Sequence, residues 1–171
     1  MQTKKTIKIL AINPGTRYIG FAVFYGPELR DWGTKVVKGK WSAKKKEKLK
    51  NIVQSLIDQH QPDAIALKKL HSSRSSRQLD SFISAIKVIA GKRGLPGYEY
   101  PIKYIEAYYS PSEQLNKRKL AELLAQNHPD LYYELNSEGS SNNRYYFWMF
   151  EAIALGTICL HQVNQMSHSQ I

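Results

Sequence analysis

Residues 9–23 constrain the fold more than any other segment of the chain. Two mostly apolar runs, residues 6–12 and 19–25, flank the sequence Pro14-Gly15-Thr16. Because glycine tolerates positive φ and proline presets a bend, this sequence is typical of a tight turn. The segment therefore predicts a β-hairpin, and residues 29–37 predict a third antiparallel strand beside it.

The rest of the chain alternates predicted helices with predicted strands. Apolar residues at helical spacing indicate helices, and Ser42 is a candidate N-cap for the first of them. The predicted helices cover residues 42–61, 79–90, 110–124 and 145–163, and the predicted strands cover residues 64–67 and 100–109. The order βββ-α-β-α-β-α-α predicts an α/β fold with a mixed sheet, in which parallel strands follow three antiparallel ones and helices cover both faces.

Length and composition favour one soluble domain. The 171 residues suit a single core over about residues 6–163, followed by a polar tail at 164–171. The only cysteine, Cys159, excludes a disulfide within the chain and a zinc site built from several cysteines. The N-terminal residues do not resemble a signal peptide, and the longest apolar stretch contains an acid and is too short for a membrane span. We therefore expect a cytoplasmic protein that does not bind membranes.

The charge balance favours a polyanionic partner. Lys and Arg number 25 against 14 Asp and Glu, a net charge of +11, and such a surplus most often serves nucleic acid. Arg and hydroxyl side chains contact phosphate oxygens well. A solvated helix face and a mobile polar loop are the alternative explanations for the two basic segments. The candidate phosphate contacts are Lys44, Lys45 and Lys46 in the first helix, and His71, Arg74 and Arg77 in the loop after the strand at 64–67.

Four motifs, taken in order, resemble the RuvC-type Holliday-junction resolvases of the RNase H-like fold. Residues 12–16 (Ile-Asn-Pro-Gly-Thr) resemble the Asp-Pro-Gly-Ser/Thr motif of that family's first strand, and residues 62–68 resemble its Pro-Asp-x-x-Ala-Ile-Glu strand. Residues 109–113 are similar to its Tyr-Thr-Pro turn, and residues 151–155 resemble the Asp-Ala-Leu-Ala-Ile of its final helix. The resemblance spans about residues 9–161 and implies a five-stranded mixed sheet in a single RNase H-like domain.

The resemblance also implies a site, and this chain departs from it. The family's four carboxylates hold two Mg²⁺ ions, which activate water and stabilise the leaving oxygen of a phosphodiester. By position these carboxylates fall on Asn13, Lys68, Trp148 and Glu151, of which only Glu151 is an acid. An ammonium about 4 Å from a dication repels it by about 8 kcal/mol at an effective dielectric near 20. We therefore expect no bound metal or other cofactor, with Mg²⁺ needed only if the chain is an active nuclease after all.

The substituted positions suggest specific roles. Lys68 is expected either to replace the metal internally, pairing with Glu151 and hydrogen-bonding Asn13, or to contact a backbone phosphate. Trp148 is expected to fill the space of the metals, with stacking on a base as the alternative. Glu106, in the predicted strand 100–109, is a candidate substitute acid, although an exposed strand residue is the simpler interpretation.

Three functions are compatible with the sequence. The leading hypothesis is a RuvC-like Holliday-junction resolvase homologue that binds branched or structured nucleic acid, most of all branched DNA, with catalysis lost or strongly impaired. The first alternative is an active metal-dependent endodeoxyribonuclease with a rearranged site built on Glu151 and Glu106. The second is a scaffold or partner-binding protein that reuses the fold. The resemblance further implies a homodimer, because a four-way junction is two-fold symmetric.

Overall fold

A single five-stranded sheet organises the chain, whose computed structural model describes residues 3–137 and 144–168. The strand order is β3-β2-β1-β4-β5. β2 pairs antiparallel with β1 and β3, whereas β4 pairs parallel with β1 and β5. The predicted α/β fold with a mixed five-stranded sheet is therefore confirmed. The strands are β1 (Lys8–Asn13), β2 (Tyr18–Tyr25), β3 (Glu28–Val36), β4 (Ala64–Lys69) and β5 (Gly97–Pro101).

Helices cover both faces of this sheet, as predicted. One face packs against α1 and α2, and the other packs against α6 together with α4 and α3. Short 3-10 turns at Ser72–Arg74 and Pro129–Leu131 join some of these elements. The helices are α1 (Ala43–His60), α2 (Arg77–Lys92), α3 (Ile102–Tyr109), α4 (Lys117–Asn127), α5 (Tyr132–Asn136) and α6 (Arg144–His168). Within the described residues, no helix is long and apolar enough to cross a membrane.

The alternation of side chains along the strands divides the core between the two faces. In β1, Leu10 and Ile12 pack toward α1 and α2, whereas Ile9 and Ala11 pack toward α6. Strand residues i and i+2 share a face, so Asn13 at the end of β1 faces α6 as well. The sheet thus directs the polar end of β1 toward the last helix.

The start of α1 combines a predicted cap with an unpredicted burial. The Oγ of Ser42 accepts a hydrogen bond from the Lys45 N–H at 3.0 Å, which confirms Ser42 as the N-cap. The Lys45 side chain, however, folds back, and its Nζ donates to the Gly39 carbonyl oxygen at 2.7 Å. Because Lys45 is only 8% exposed, its ammonium is committed within the protein, and Lys45 does not fit the predicted role of phosphate contact.

The predicted strand at residues 100–109 is wrong. β5 ends at Pro101, and α3 follows at once. Tyrosine and isoleucine favour strands when taken singly, but here Ile105 is the buried residue of an amphipathic helix. Proline ends the strand because it lacks the N–H of a ladder hydrogen bond. Glu106 consequently lies on a helix and is exposed.

Several further boundaries differ from the prediction, and Arg77, which was predicted in the loop, is the first residue of α2. The helix predicted from residue 110 begins only at Lys117, because Asn116 is the N-cap and its Oδ1 accepts from the Lys119 N–H at 2.8 Å. The last helix continues past residue 163 to His168, so most of the predicted polar tail is helical. Residues 128–143 were predicted to be irregular. The first part of this segment contains a 3-10 turn and α5, whereas residues 138–143 lie outside the described residues.

Close backbone packing fixes α6 on the sheet. A Cβ on Gly20, which pairs with Asn13 in the hairpin, would lie 2.0 Å from the carbonyl oxygen of Trp148. A Cβ on Gly156 would likewise lie 2.3 Å from the Phe24 ring. These two glycines let the helix approach β2 at backbone distance. The side chains of the first turns of α6 are therefore held directly over the end of β1.

Candidate functional site

Two neighbouring parallel strands bring polar side chains to the same edge of the sheet. Ile12 of β1 is in register with Leu67 of β4, so the next residues, Asn13 and Lys68, are neighbours where the two strands end. This edge, where β1, β4 and β5 end, is called the carboxyl edge below. Both side chains face α6, which adds the buried carboxylate of Glu151.

The three side chains form one hydrogen-bonded network. The Lys68 Nζ lies 2.6 Å from the Glu151 Oε2, and the Asn13 Nδ2 donates to the same oxygen at 2.9 Å. The side chains of Lys68 and Glu151 are 16% and 10% exposed, and Asn13 is 2% exposed. The predicted Lys68–Glu151 pair is confirmed. Asn13 bonds to the carboxylate, whereas the prediction had it bonding to the ammonium.

The orientation of the Asn13 amide follows from its partners. Its Nδ2 donates both to Glu151 and to the Trp148 carbonyl oxygen, the latter at 3.2 Å. Both partners are acceptors, so the nitrogen must face them. The Asn13 Oδ1 therefore points away from Glu151. This oxygen is the only atom of the side chain that could coordinate a cation.

The donor set of this network does not fit a divalent cation. Mg²⁺ is held by carboxylate and other oxygen ligands, whereas here one carboxylate oxygen already accepts from an ammonium and an amide. The Lys68 ammonium stands where a dication would have to approach Glu151, which adds repulsion. In residues 3–137 and 144–168, no cluster of three or more His, Cys, Asp or Glu side chains could hold a metal.

Trp148 packs over the hairpin turn next to this network. A Cβ on Gly15 would lie 2.5 Å from the Cη2 of the indole ring. The Trp148 ring also contacts the Tyr18 ring, with centroids 6.0 Å apart, and the Arg17 guanidinium lies 5.6 Å from the centre of the Tyr18 ring. Trp148 is half-buried. The Trp148 ring thus lies against the hairpin turn, and its two suggested roles, filling the space of the metals or stacking on a base, stay predictions.

Basic residues surround the carboxyl edge. α1 and α2 both begin there, since they follow β3 and β4. Lys44 and Arg77 are exposed in the first turns of these helices, and Lys46 is half-exposed. These positions allow the predicted phosphate contacts, which stay predictions.

The loop after β4 lines a cavity at the same edge. Its walls are residues 68–74 and 101–103, and its volume is about 620 Å³. Arg74 and His71 lie in this loop as predicted, but the His71 Nδ1 accepts from the Ser73 N–H at 3.2 Å, which caps the short 3-10 turn. Part of the His71 hydrogen-bonding capacity is thus used locally.

Two cations of this cavity, Lys69 and Lys103, were missed by the sequence prediction. Lys69 directly follows Lys68 and ends β4. Lys103 was hidden inside the wrongly predicted strand, whereas it belongs to the first turn of α3 beside the end of β4. A proline followed by helical spacing of apolar residues was the available signal for this helix.

Two other acids among the described residues, Glu106 and Asp63, take no part in the network. Glu106 is exposed on α3. Asp63 lies at the start of β4, where its carboxylate accepts from the Lys8 N–H at 2.9 Å and pairs with Lys5 at 2.7 Å. Burial alone would raise the pKa of Asp63, but these two donors outweigh it and hold the pKa below its usual value. Asp63 therefore has a structural role at the start of β4.

Comparison with known proteins finds similarity to RuvC in sequence and to Holliday-junction resolvases in fold. No protein-family profile matches the chain. The crossover junction endodeoxyribonuclease RuvC of Protochlamydia amoebophila (strain UWE25) is 35% identical over 104 residues, covering 54% of this chain and 60% of that relative. The match therefore spans less than two thirds of the relative's length.

Solved structures agree with this likeness. T. thermophilus RuvC in complex with Holliday junction substrate superimposes with a TM-score of 0.64 and 16% identity over 88% of this chain and 90% of that one. The yeast mitochondrial Holliday junction resolvase Ydc2 superimposes with a TM-score of 0.70 and 14% identity. The superposition covers 95% of this chain and 81% of Ydc2. The fold is thus RuvC-like, and the resemblance to RuvC-type resolvases that the motifs indicated is confirmed.

Proposed function

We propose that this RuvC-like chain binds branched or structured nucleic acid, most of all branched DNA, at the carboxyl edge, and that phosphodiester cleavage there is lost or strongly impaired. The fold and the relative support the first half, since one structure with this fold contains a Holliday junction. The net charge of +11 supports it independently, because neutralising phosphates dominates nucleic-acid affinity.

The Lys68–Glu151–Asn13 network is the single observation that carries the second half. Two-metal hydrolysis requires carboxylates that are free to bind cations. Here the one carboxylate of the network is neutralised by an ammonium at 2.6 Å, and the amide presents its nitrogen. The Lys68 ammonium thus occupies the place where a metal-dependent nuclease would hold its ions. Because its charge is balanced by Glu151, the pair neither holds a cation nor activates water.

The active-nuclease alternative needs a second acid near Glu151. Glu106 was the candidate, but it lies exposed on α3, and the described residues contain no cluster that could hold a metal. A homodimer is part of our proposal, because a two-fold branched substrate is matched by two copies related by two-fold symmetry. A cytoplasmic location and a role in DNA recombination or repair belong to it as well.

A binding and cleavage experiment tests the proposal. Labelled four-way junction and linear duplex of equal length are titrated with the protein at several salt concentrations, and each is incubated with Mg²⁺ or Mn²⁺. We expect the junction to bind more tightly, with affinity falling steeply as salt rises, and no cleavage above that of a Glu151→Gln variant.

The two alternatives give different results in the same experiment. Metal-dependent cleavage that disappears in Glu151→Gln would establish the active nuclease. Absence of binding to both substrates at moderate salt would favour the scaffold. Arg77→Ala and Lys44→Ala are expected each to reduce the slope of log affinity against log salt by about one if the residue contacts a phosphate. Lys92→Ala, an exposed lysine at the opposite end of α2, is the matched control and should leave the slope unchanged.

A further inference from the structure

The Lys68–Glu151 pair offers a chemistry that metal-dependent hydrolysis does not use. Among the ion pairs of the described residues it has the least exposed lysine, since the Lys68 side chain is 16% exposed and the other paired lysines range from 29% to 81%. Burial disfavours the charged forms of both partners. Moving one proton across the 2.6 Å between the Lys68 Nζ and the Glu151 Oε2 converts the pair into a neutral amine and a neutral carboxylic acid.

The surroundings of Lys68 suit a nucleophilic amine. The Asn13 Nδ2 donates to the Glu151 Oε2 at 2.9 Å and to the Trp148 carbonyl oxygen at 3.2 Å, which holds the carboxylate in place. Lys68 also lines the cavity of about 620 Å³ at the carboxyl edge. A ligand that enters this cavity therefore reaches the amine, and Glu151 lies within hydrogen-bond distance of that amine as an acid or base.

The bound polymer determines which carbonyl compound meets this amine. A lysine amine forms Schiff bases with carbonyl groups and does not attack phosphodiesters. Intact DNA contains no aldehyde, whereas a deoxyribose that has lost its base opens to a free aldehyde at C1′. Damaged positions also leave the duplex at the lowest cost, because no base pair holds them. The substrate class that fits both Lys68 and the basic carboxyl edge is therefore DNA with a baseless deoxyribose.

We propose that the Lys68 amine attacks the aldehyde of a baseless deoxyribose and breaks the strand by elimination, without a metal. This lyase activity rests on the proposed function, because it requires DNA bound at the carboxyl edge, and it adds a reaction to that function. The cleavage that we propose to be lost is metal-dependent hydrolysis of intact phosphodiesters. Elimination instead breaks a C–O bond of the sugar.

The steps balance with the groups that the site contains and with water. The Lys68 ammonium gives one proton to Glu151, its amine adds to C1′, and Glu151 returns the proton as the carbonyl oxygen leaves as water. The resulting iminium ion acidifies the C2′ position, from which the Glu151 carboxylate removes a proton. A C2′–C3′ double bond forms, and the C3′–O bond breaks with the 3′ phosphate as leaving group. Water then hydrolyses the iminium ion, which releases an unsaturated aldehyde and restores the Lys68 ammonium, and Glu151 loses its proton to solvent.

The test traps the covalent intermediate on the full chain. A four-way junction with one baseless site and the same junction with a tetrahydrofuran at that position, which has no aldehyde, are incubated with the protein in EDTA and sodium borohydride. Borohydride reduces the iminium ion to a stable secondary amine, so we expect an adduct with the baseless junction alone. Mass spectrometry of the digested adduct should find the added sugar on Lys68. Without borohydride, the strand should break at the baseless site in EDTA.

Three variants assign the roles. Lys68→Arg keeps a cation beside Glu151 but has no nucleophilic amine, so it should lose the adduct and the strand break while still binding the tetrahydrofuran junction. Glu151→Gln removes the proton carrier and should slow strand breakage by about a hundredfold. Lys87→Arg is the matched control and should be trapped as the wild type is, because Lys87 on α2 also pairs with a carboxylate, that of Glu99. Thermal unfolding checks the fold of each variant.

The outcomes separate the lyase activity from the proposed function. If the wild type binds the tetrahydrofuran junction but gives no adduct with the baseless one, the lyase activity is refuted and nucleic-acid binding stands. If the added sugar maps to other lysines, or Lys68→Arg is trapped as the wild type is, Lys68 is not the nucleophile. If neither junction binds, both proposals fail. Should Lys68→Arg not fold, the position of the sugar in the wild-type adduct decides alone.

Discussion

Removing the Lys68 ammonium should expose how far the protein depends on its internal ion pair. The pair is 2.6 Å long, and its side chains are 16% and 10% exposed. Breaking one partner of a buried pair costs about 3–5 kcal/mol, because the other charge stays buried and uncompensated. Some solvent still reaches this pair, so we expect the lower end, about 3 kcal/mol, for Lys68→Met.

The remaining partner explains that cost. In Lys68→Met, Glu151 would keep only the Asn13 amide as a donor to its Oε2. Replacing the carboxylate as well, in Lys68→Met/Glu151→Leu, removes the uncompensated charge and should recover most of the lost stability. For a domain of this size, about 3 kcal/mol corresponds to a fall in Tm of about 6–12 °C for the single variant.

A double-mutant cycle measures this coupling. Urea unfolding of the wild type, both single variants and the double variant gives the four free energies of unfolding, and we expect a coupling energy of at least about 2 kcal/mol. Lys87→Met is the control, since Lys87 pairs with Glu99 while more than half exposed; its effect should stay below about 1 kcal/mol. If the two site substitutions are additive within about 0.5 kcal/mol, the ion pair is not the stabilising element that we describe.

Three further predictions follow from the same geometry. Asn13→Asp combined with Lys68→Glu should create Mn²⁺ binding, seen by calorimetry as heat absent from the wild type and from each single variant; heat in the wild type would contradict our view of the donors. Gly20→Ala should destabilise the protein by at least about 2 kcal/mol in urea unfolding, because its Cβ meets the backbone of α6 at 2.0 Å, whereas Gly97→Ala meets nothing within 4 Å and should be nearly neutral. The pKa of Asp63 is lower in the folded protein than in the unfolded chain, where it is about 4. The carboxylate therefore stabilises the fold fully above that pH, and this stabilisation is lost as the pH falls through the folded pKa. The difference in free energy of unfolding between wild type and Asp63→Asn should shrink below about pH 4, and a difference that stays constant would refute the linkage.

The parts of the fold that could be predicted are those with a strong local pattern. The turn at Pro14 and Gly15 and the short apolar strand at 64–67 follow directly from residue type and period. The region after Gly97 could not be predicted in this way. Its tyrosines and isoleucines suit a strand locally, which outweighed the helical signal that begins at Pro101, and in the structure Ile105 of this helix packs into the core. For this reason the sequence did not predict that Lys103 lines the cavity at the end of β4.

Some contacts of the candidate site could be predicted from the sequence, and others could not. The partners Lys68 and Glu151 were predictable, because the resemblance assigns both to one site and opposite charges attract. The direction of the Asn13 amide was not, since it depends on the carbonyl oxygen of Trp148, a backbone atom 135 positions away. Lys45 shows the opposite error. It lies in a run of lysines that predicts a solvent-exposed helix face, yet its ammonium donates a hydrogen bond to the carbonyl oxygen of Gly39.

The shared oxygen of Glu151 has a consequence for how this sequence can change. Asn13→Asp alone replaces a donor with an anion facing Glu151 and the Trp148 carbonyl oxygen. Lys68→Glu alone sets two carboxylates side by side without the cation that balances them. Each single step is unfavourable, and only the pair of changes assembles a set of acids. A lineage carrying this network would therefore have to pass through a less stable protein to gain a carboxylate metal site, which makes the present arrangement persistent once it exists.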